Sequence, residues 1–139
     1  MSYLIDTCVI SELRKPDPSP EFLGWFQSCK AEHLFISSLT LGELYYGISI
    51  LPKGKKRDDL FIWFNEVRDA FGDNILTVND DTGIMWGELR AKAKNIGKPM
   101  PVIDGLLAAT AITNKLALVT RNIEDFQITG LQILNPWQE

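Results

Sequence analysis

Two carboxylates stand where an apolar run ends or begins. Asp6 directly follows the apolar residues Tyr3–Ile5, and Asp104 precedes a largely apolar run over residues 105–111. A carboxylate beside a buried strand or helix is held rigidly by the backbone and can face a cleft. Each residue also has a structural alternative, because an aspartate at this place can cap the helix that follows it. The two positions are therefore candidates for chemistry, with helix capping as the alternative.

A third carboxylate, Glu43, lies in a mostly apolar segment between Gly42 and Gly47. Glycine inside a helix costs about 1 kcal/mol relative to alanine, so two of them predict a close approach of another backbone. An acid on an apolar helix has to be paired or has to bind a metal ion. We favour the metal, and a surface acid is the alternative.

The fourth carboxylate, Asp125, follows the polar residues Thr120, Arg121 and Asn122. Asn122 and Asp125 are three residues apart, so one helical turn would place them on the same face. The oxygens of Thr120 and Asn122 could orient a carboxylate or a bound water. Arg121 could pair with a carboxylate or reach a phosphate.

These four acids predict a site for a hard divalent cation. Oxygen ligands without a histidine cluster favour Mg²⁺ or Mn²⁺. The one histidine, His33, is a surface or packing residue in this interpretation, and neither a GxxxxGK[ST] loop nor a GxGxxG turn is present. Hydrolysis of a phosphodiester bond suits such a site, because metal ions activate water and stabilise the leaving oxygen.

The elements that must position the acids alternate between short apolar runs and amphipathic stretches. This alternation predicts an α/β fold with a parallel sheet covered by helices on both faces. In such folds ligands collect beyond the carboxyl ends of the central strands, where Asp6 and Thr120 lie. The predicted strands are 3–5, 34–36, 75–78, 116–119 and 131–134; the predicted helices are 8–14, 21–29, 38–50, 58–71, 80–95 and 103–115, with a helical turn at 123–126.

Length and composition predict one domain over residues 1–139. The chain has 139 residues and a net charge of -4, which argues mildly against binding nucleic acid through a broad basic face. One basic run, residues 53–57, is either a solvated loop and helix start or an edge that meets phosphates. No signal peptide or membrane-spanning run is visible, so we expect a cytoplasmic protein. The two cysteines, Cys8 and Cys29, predict free thiols.

Together these segments resemble the PIN-domain family, and within it the FitB-like branch of the VapC toxins. The similarity runs from end to end, and four motifs occur in order. They are residues 6–13 (DTCVISEL), 41–47 (LGELYYG), 101–111 (PVIDGLLAATA) and 118–126 (LVTRNIEDF), followed by the ending 134–137 (LNPW). Cys8 stands where asparagine is frequent in the family, which removes one possible polar contact near the metal. Gly105 stands where alanine is frequent.

The resemblance implies a three-layer α/β/α fold with sheet order 3-2-1-4-5. It implies an endoribonuclease that depends on Mg²⁺ or Mn²⁺ and forms a homodimer, and for which aromatic side chains on the early helices could supply the interface. It also implies the toxin of a type II toxin-antitoxin module, whose cognate antitoxin protein fills the active-site groove and represses transcription as a complex. Such a protein meets DNA only through that complex and has no membrane partner.

By motif, the resemblance assigns metal binding and water activation to four acids and an orienting role to three polar residues. Glu12, which is solvated in the plainer interpretation, and Arg90, which then only pairs with a neighbouring acid, are weaker candidates. The four acids are Asp6, Glu43, Asp104 and Asp125, and the orienting residues are Thr7, Thr120 and Asn122.

Two other functions remain open at this point. One is a largely non-catalytic PIN-like subunit of a DNA-binding repressor complex. The other is a PIN nuclease of RNA processing that has no antitoxin. The four intact acids favour an enzyme, because a scaffold has no need to hold clustered charge in a cleft.

Overall fold

The computed structural model describes residues 1–138, and at its centre lies one sheet of five short parallel strands. The strand order is β3-β2-β1-β4-β5, which confirms the predicted order. Leu4 in the central strand pairs with Phe35 on one side and with Leu118 on the other. The strands are β1 Tyr3–Ile5, β2 Leu34–Ser37, β3 Ile75–Leu76, β4 Ala117–Val119 and β5 Ile133–Leu134.

Six α-helices cover the two faces of this sheet and complete the predicted three layers. The first four pack on one face and the last two on the other. Short 3₁₀ segments precede β2 and β3, and a longer one, Ile123–Thr129, follows β4. The helices are α1 Thr7–Leu13, α2 Pro20–Ser28, α3 Ser38–Ser49, α4 Lys55–Phe71, α5 Asp80–Asn95 and α6 Val102–Thr113.

Local capping chemistry explains where several helices begin. Ser37 accepts a hydrogen bond from the Leu39 backbone N–H at 3.0 Å, and Asn79 accepts one from Thr82 at 2.9 Å. These side chains satisfy backbone donors that the first helical turn leaves free. Both caps confirm the predicted starts of α3 and α5.

Helix α4 begins earlier than predicted, because the basic run forms its first turn. The start lies at Lys55 rather than Asp58, and Gly54 precedes it with a φ of 157°. The Lys55 ammonium lies 2.9 Å from the Asp59 carboxylate one turn later. This exposed pair supports the extra turn, so Lys55–Arg57 belong to the helix rather than to the loop.

Other boundary differences concern the two edge strands of the sheet and the end of α6. The strands β3 and β5 are two residues long instead of four. Thr77 and Val78 are exposed and lead directly into the Asn79 cap. Lys115, with a φ of 57°, ends α6 before the predicted residue. Short edge strands expose little unpaired backbone.

An aromatic cluster on the α1–α4 face fills most of the first core layer. Phe22 is fully buried, and its ring stacks on Trp137 with centroids 5.1 Å apart. Trp25 packs edge-on against Tyr3 at 5.4 Å. Phe22 therefore belongs to the core, whereas Trp25 and Phe26 are only partly buried, and their part in a dimer interface stays a prediction.

The glycines differ in how closely other residues pack around them. The predicted close approach at Gly42 and Gly47 is wrong, because a Cβ at either would meet nothing within 4 Å. At Gly105 in α6, by contrast, a Cβ would lie 3.0 Å from Cδ1 and 3.1 Å from Nε1 of Trp86 in α5. Glycine at this position lets the two helices approach and places the adjacent Asp104.

The described residues include no helix that is both long and apolar enough to cross a membrane. Cys8 and Cys29 are free thiols, as predicted.

Candidate active site

Asp6 ends the central strand and begins α1. Its backbone N–H donates to the Val119 carbonyl at 3.2 Å, which continues the sheet into the site. Its carboxylate accepts from the Val9 backbone N–H at 3.2 Å, and the residue is 8% exposed. Asp6 is thus a helix cap and a buried carboxylate at the strand end at once, so the two interpretations of this residue are compatible.

The Cys8 thiol supplies a further contact to Asp6. Its Sγ lies 2.7 Å from Oδ1 of Asp6 and donates to it. Burial, followed by the negative charge of Asp6, raises the pKa of Cys8 to about 12. The thiol therefore stays protonated at neutral pH and remains a donor. The expectation that Cys8 removes a polar contact is wrong, because the thiol holds the carboxylate in place.

Glu43 projects from α3 and is exposed. The Thr7 hydroxyl, in the first turn of α1, donates to its Oε1 at 2.8 Å. This bond restrains a long side chain that would otherwise be free in solvent. Thr7 thus has an orienting contact of the predicted kind, with Glu43 as its partner.

Asp104 lies in the first turn of α6 and is half-buried. Burial raises the pKa of its carboxyl group, and the charges of Asp125, Glu43 and Asp6 raise it further, in that order. Within residues 1–138 no side chain caps α6, so Asp104 does not serve as its cap. The structure therefore brings all four predicted acids close enough to repel one another at Asp104.

The segment after β4 carries the last group of candidates. Thr120 is fully buried, and its hydroxyl accepts from the Asn122 backbone N–H at 3.1 Å. Asn122 borders the cleft, and its carbonyl accepts from the Asp125 N–H at 3.3 Å. Asp125 is exposed in the 3₁₀ turn. Thr120 therefore shapes the loop that carries the other two residues.

Three of the four acids, Asp6, Glu43 and Asp104, line a cleft of about 480 Å³ at the carboxyl end of the sheet. Asp125 does not line this cleft, but its charge acts on Asp104. The part of the chain from 1 to 138 contains no group of three acidic, histidine or cysteine side chains already gathered tightly enough to hold a metal ion. The donor set nevertheless suits a hard cation, since it consists of carboxylates whose mutual repulsion a cation would relieve. Binding would have to draw these side chains together. The cleft is lined by Asp6, Thr7, Cys8, Ser11, Glu12, Lys15, Glu43, Asp104, Leu107, Arg121 and Asn122.

Glu12 differs from its plainer interpretation as a solvated acid. It is 4% exposed, and its carboxylate accepts from the Ser19 backbone N–H at 2.9 Å. The Lys15 ammonium lies 2.9 Å from its other oxygen, and Arg121 lies 3.7 Å from that same oxygen. The Ser19 N–H and Lys15 lower the pKa of Glu12, in that order. No local pattern in the sequence signals this burial.

Arg90 lies outside the cleft. Its guanidinium stacks over the Trp86 ring at 4.7 Å and borders a separate hollow near the start of α6. The structure thus assigns it neither the site role nor the pairing with a neighbouring acid. His33 also lies apart, with Nδ1 3.1 Å from the Ser2 hydroxyl.

Comparison with known proteins shows which family this chain is similar to. The model of the PIN domain family matches residues 3–130. VapC ribonuclease Y4jK of Sinorhizobium fredii is 36% identical over 97% of this chain and 97% of its own length. Toxin FitB of Neisseria gonorrhoeae is 31% identical, over 98% of this chain and 99% of its own length. A solved structure of FitAB bound to an IR36 DNA fragment superposes with a TM-score of 0.93 at 30% identity, covering 99% of this chain and 96% of that chain.

Proposed function

This chain belongs to the PIN-domain family, and from that premise we propose that it is a divalent-metal-dependent endoribonuclease, the toxin of a toxin-antitoxin module. One observation carries the proposal. Asp6, Glu43 and Asp104 line one cleft, and after burial the negative charges of Asp125, Glu43 and Asp6 raise the pKa of Asp104. A fold has no structural need for such repulsion, and active sites commonly contain it.

In the proposed mechanism Asp6, Glu43, Asp104 and Asp125 would hold Mg²⁺ or Mn²⁺. Such an ion supplies positive charge that activates water and stabilises the leaving oxygen of the phosphodiester. The protein's own contribution is placement. The Asp6 carboxylate is held by the Val9 N–H, and Glu43 is held by Thr7. We assign orientation to Thr7, Thr120 and Asn122.

The Cys8 thiol extends that placement. It donates to the same Asp6 oxygen as the Val9 N–H, so one carboxylate oxygen accepts two bonds from the protein. Ligands oriented by such outer contacts bind metal more tightly than free ones.

The names of similar proteins indicate the biological setting. Relatives of this chain are named as ribonucleases and as a toxin, and a similar solved structure contains FitAB on DNA. We therefore propose an antitoxin partner, contact with DNA only through the complex with that partner, and a homodimer. One PIN domain spanning residues 1–139 and working on cytoplasmic RNA is sufficient for this role.

The experiment that tests the function is cleavage of total cellular RNA by the purified protein. We expect cuts at discrete sites with Mg²⁺ or Mn²⁺ and none with EDTA. Asp6→Asn should abolish the cuts while keeping the fold, because asparagine is also a good helix cap. Asp69→Asn, an exposed acid on α4, is the matched control and should cut normally.

A different result would redirect the proposal. Failure to cut any RNA, with metal bound and the antitoxin complex still formed on DNA, would favour the non-catalytic repressor subunit. Cutting that persists in Asp6→Asn and in EDTA would place the activity outside this cleft.

A further inference from the structure

Two cationic side chains lie on one wall of the acidic cleft. Lys15 follows α1, Arg121 follows β4, and both border the same hollow as Asp6 and Asp104. The Lys15 and Arg121 side chains are 54% and 50% exposed, so both can meet a ligand from solvent. The mechanism above uses neither residue.

Buried Glu12 holds these two cations together. Its Oε1 lies 2.9 Å from the Lys15 ammonium and 3.7 Å from the Arg121 guanidinium. Its Oε2 is fixed separately by the Ser19 backbone N–H. A buried carboxylate has to be paired, so Glu12 fixes where both cations lie.

Arg121 is restrained from a second direction. Its guanidinium stacks over the Trp137 ring, 4.2 Å from the centroid. Guanidinium carries five N–H donors and ammonium three, so contact with one carboxylate oxygen leaves donors unused on both. Stacking and pairing together orient a donor surface at low entropic cost.

The unused donors can offset the repulsion between the acidic site and an RNA substrate. RNA presents a phosphate at every nucleotide, and four carboxylates repel it. Bound metal compensates only at the ion itself. A fixed cationic wall across the cleft would attract the neighbouring phosphate and orient the strand.

We propose that Lys15 and Arg121 form a phosphate-binding pair for the RNA backbone next to the scissile bond, and that buried Glu12 is the positioning residue of this pair. The inference rests on the proposed ribonuclease function and deepens it. The pair contributes to binding and to salt dependence, and it does not take part in the chemical step.

The test compares Lys15→Gln, Arg121→Gln and Glu12→Gln with the parent protein in steady-state cleavage of a single-stranded RNA. For the first two we expect KM to rise about tenfold, the size of one lost charged hydrogen bond, with kcat changed less than about twofold. The slope of log(kcat/KM) against log salt should shrink by about 0.7 for each lost contact. Glu12→Gln should move KM in the same direction by a smaller factor.

Controls separate positioning from folding. Lys30→Gln removes an exposed cation far from the cleft and should leave KM and the salt slope unchanged. Arg121→Lys keeps the charge and should recover part of the KM. Thermal melting of each variant identifies loss of fold, and a structural role alone would lower kcat and stability together without changing the salt slope.

A binding measurement distinguishes failure of this inference from failure of the proposed function. Asp6→Asn is expected to abolish cleavage, so fluorescence anisotropy of this variant with a 5′-labelled single-stranded RNA should report binding alone, and EDTA replaces Mg²⁺ if any cutting persists. Weaker and less salt-dependent binding after Lys15→Gln and Arg121→Gln supports the pair, even if no variant ever cleaves RNA. Equal RNA affinity and equal salt slope in folded variants would overturn it, and loss of antitoxin binding instead would assign the pair to a protein partner.

Discussion

Glu12 and Asp104 both line the cleft, and their surroundings shift the pKa values of their carboxyl groups in opposite directions. The pKa of Glu12 is lowered by the Ser19 N–H and Lys15. The pKa of Asp104 is raised by burial and by the charges of three other acids. One wall satisfies its acid with groups of the protein, whereas the other leaves its acids facing one another.

The opposite pKa shifts distinguish an acid that stabilises the fold, Glu12, from an acid that is available for function, Asp104. A carboxylate that is buried and paired stabilises the chain and holds its partners. A carboxylate whose charge the protein leaves uncompensated costs stability and is available to a ligand. The exposed position of Glu43, held only by Thr7, belongs to the second kind.

The largest effect is expected when one acid on each wall of the cleft is neutralised in turn. We expect Asp104→Asn to lower kcat by more than about 100-fold, because even the outer contacts of a metal site are worth 10–100-fold. Glu12→Gln should keep kcat within a few-fold. Steady-state RNA cleavage measures both. Equal loss of kcat in the two variants would show that the two walls share one role.

A second prediction uses metal as the ligand. Mg²⁺ should raise the melting temperature by several degrees, since a ligand at 100 times its Kd stabilises the native state by about 2.7 kcal/mol. Replacing both Asp6 and Asp104 with alanine should abolish the rise, and Glu12→Gln should keep it. Thermal denaturation with and without EDTA checks this. A full rise in the double variant would place the ion elsewhere.

A third prediction concerns pH in the metal-free protein. Folded Asp104 binds its proton more tightly than the unfolded residue, so its contribution to stability falls as pH rises from its ordinary value of 3.8 through the raised pKa. Asp104→Asn should therefore raise the free energy of unfolding at pH 7 in EDTA. Glu12 has the opposite sign, because its contribution is present above its ordinary value of 4.5 and is lost as pH falls through the lowered pKa.

In the same experiment we expect a defined loss of stability for Glu12→Gln. Glu12→Gln should cost about 1–2 kcal/mol at pH 7, from lost charge-assisted hydrogen bonds to partly exposed partners. Urea denaturation from pH 8 down to about pH 2.5 separates the two acids by the direction of their slopes, with the Asp104 slope above pH 3.8 and the Glu12 slope below pH 4.5. Destabilisation by Asp104→Asn in EDTA would contradict the assignment of that acid to function.

The smallest expected effect tests how the acidic wall is placed. Gly105→Ala puts a Cβ 3.0 Å from the Trp86 ring. Overpacking costs about 1–3 kcal/mol, and about 1 kcal/mol of helix propensity offsets part of it, so the variant should be about 1 kcal/mol less stable. Gly87→Ala in α5 meets nothing within 4 Å and should be stabilising. Equal melting temperatures for the two variants would mean that α5 and α6 do not pack closely at Asp104.

Local sequence predicted most elements because their signals are local. The caps Ser37 and Asn79 lie next to the helices they begin. Asp6 was placed at a strand end because an apolar run stops immediately before it. The four acids were candidates from their own surroundings in the sequence, whereas the sheet order came from motifs that match a family in sequence order, and the structure confirms that order.

Sequence reasoning failed where the deciding neighbour is remote along the chain. Gly42 and Gly47 predicted a close approach, but a Cβ at either position would meet nothing within 4 Å. Glu12 was interpreted as solvated because nothing near it in sequence shows that Arg121 would meet it.

By itself, then, the sequence determined the alternation of strands and helices, the helix starts at Ser37 and Asn79, and the presence of acids at strand and helix ends. These follow from backbone hydrogen bonding and side-chain periodicity over a few residues. Only the tertiary structure decided which acids are neutralised and which face one another. That outcome depends on distances between charges from different elements, and Coulomb energies and desolvation are set by those distances and by burial rather than by order along the chain.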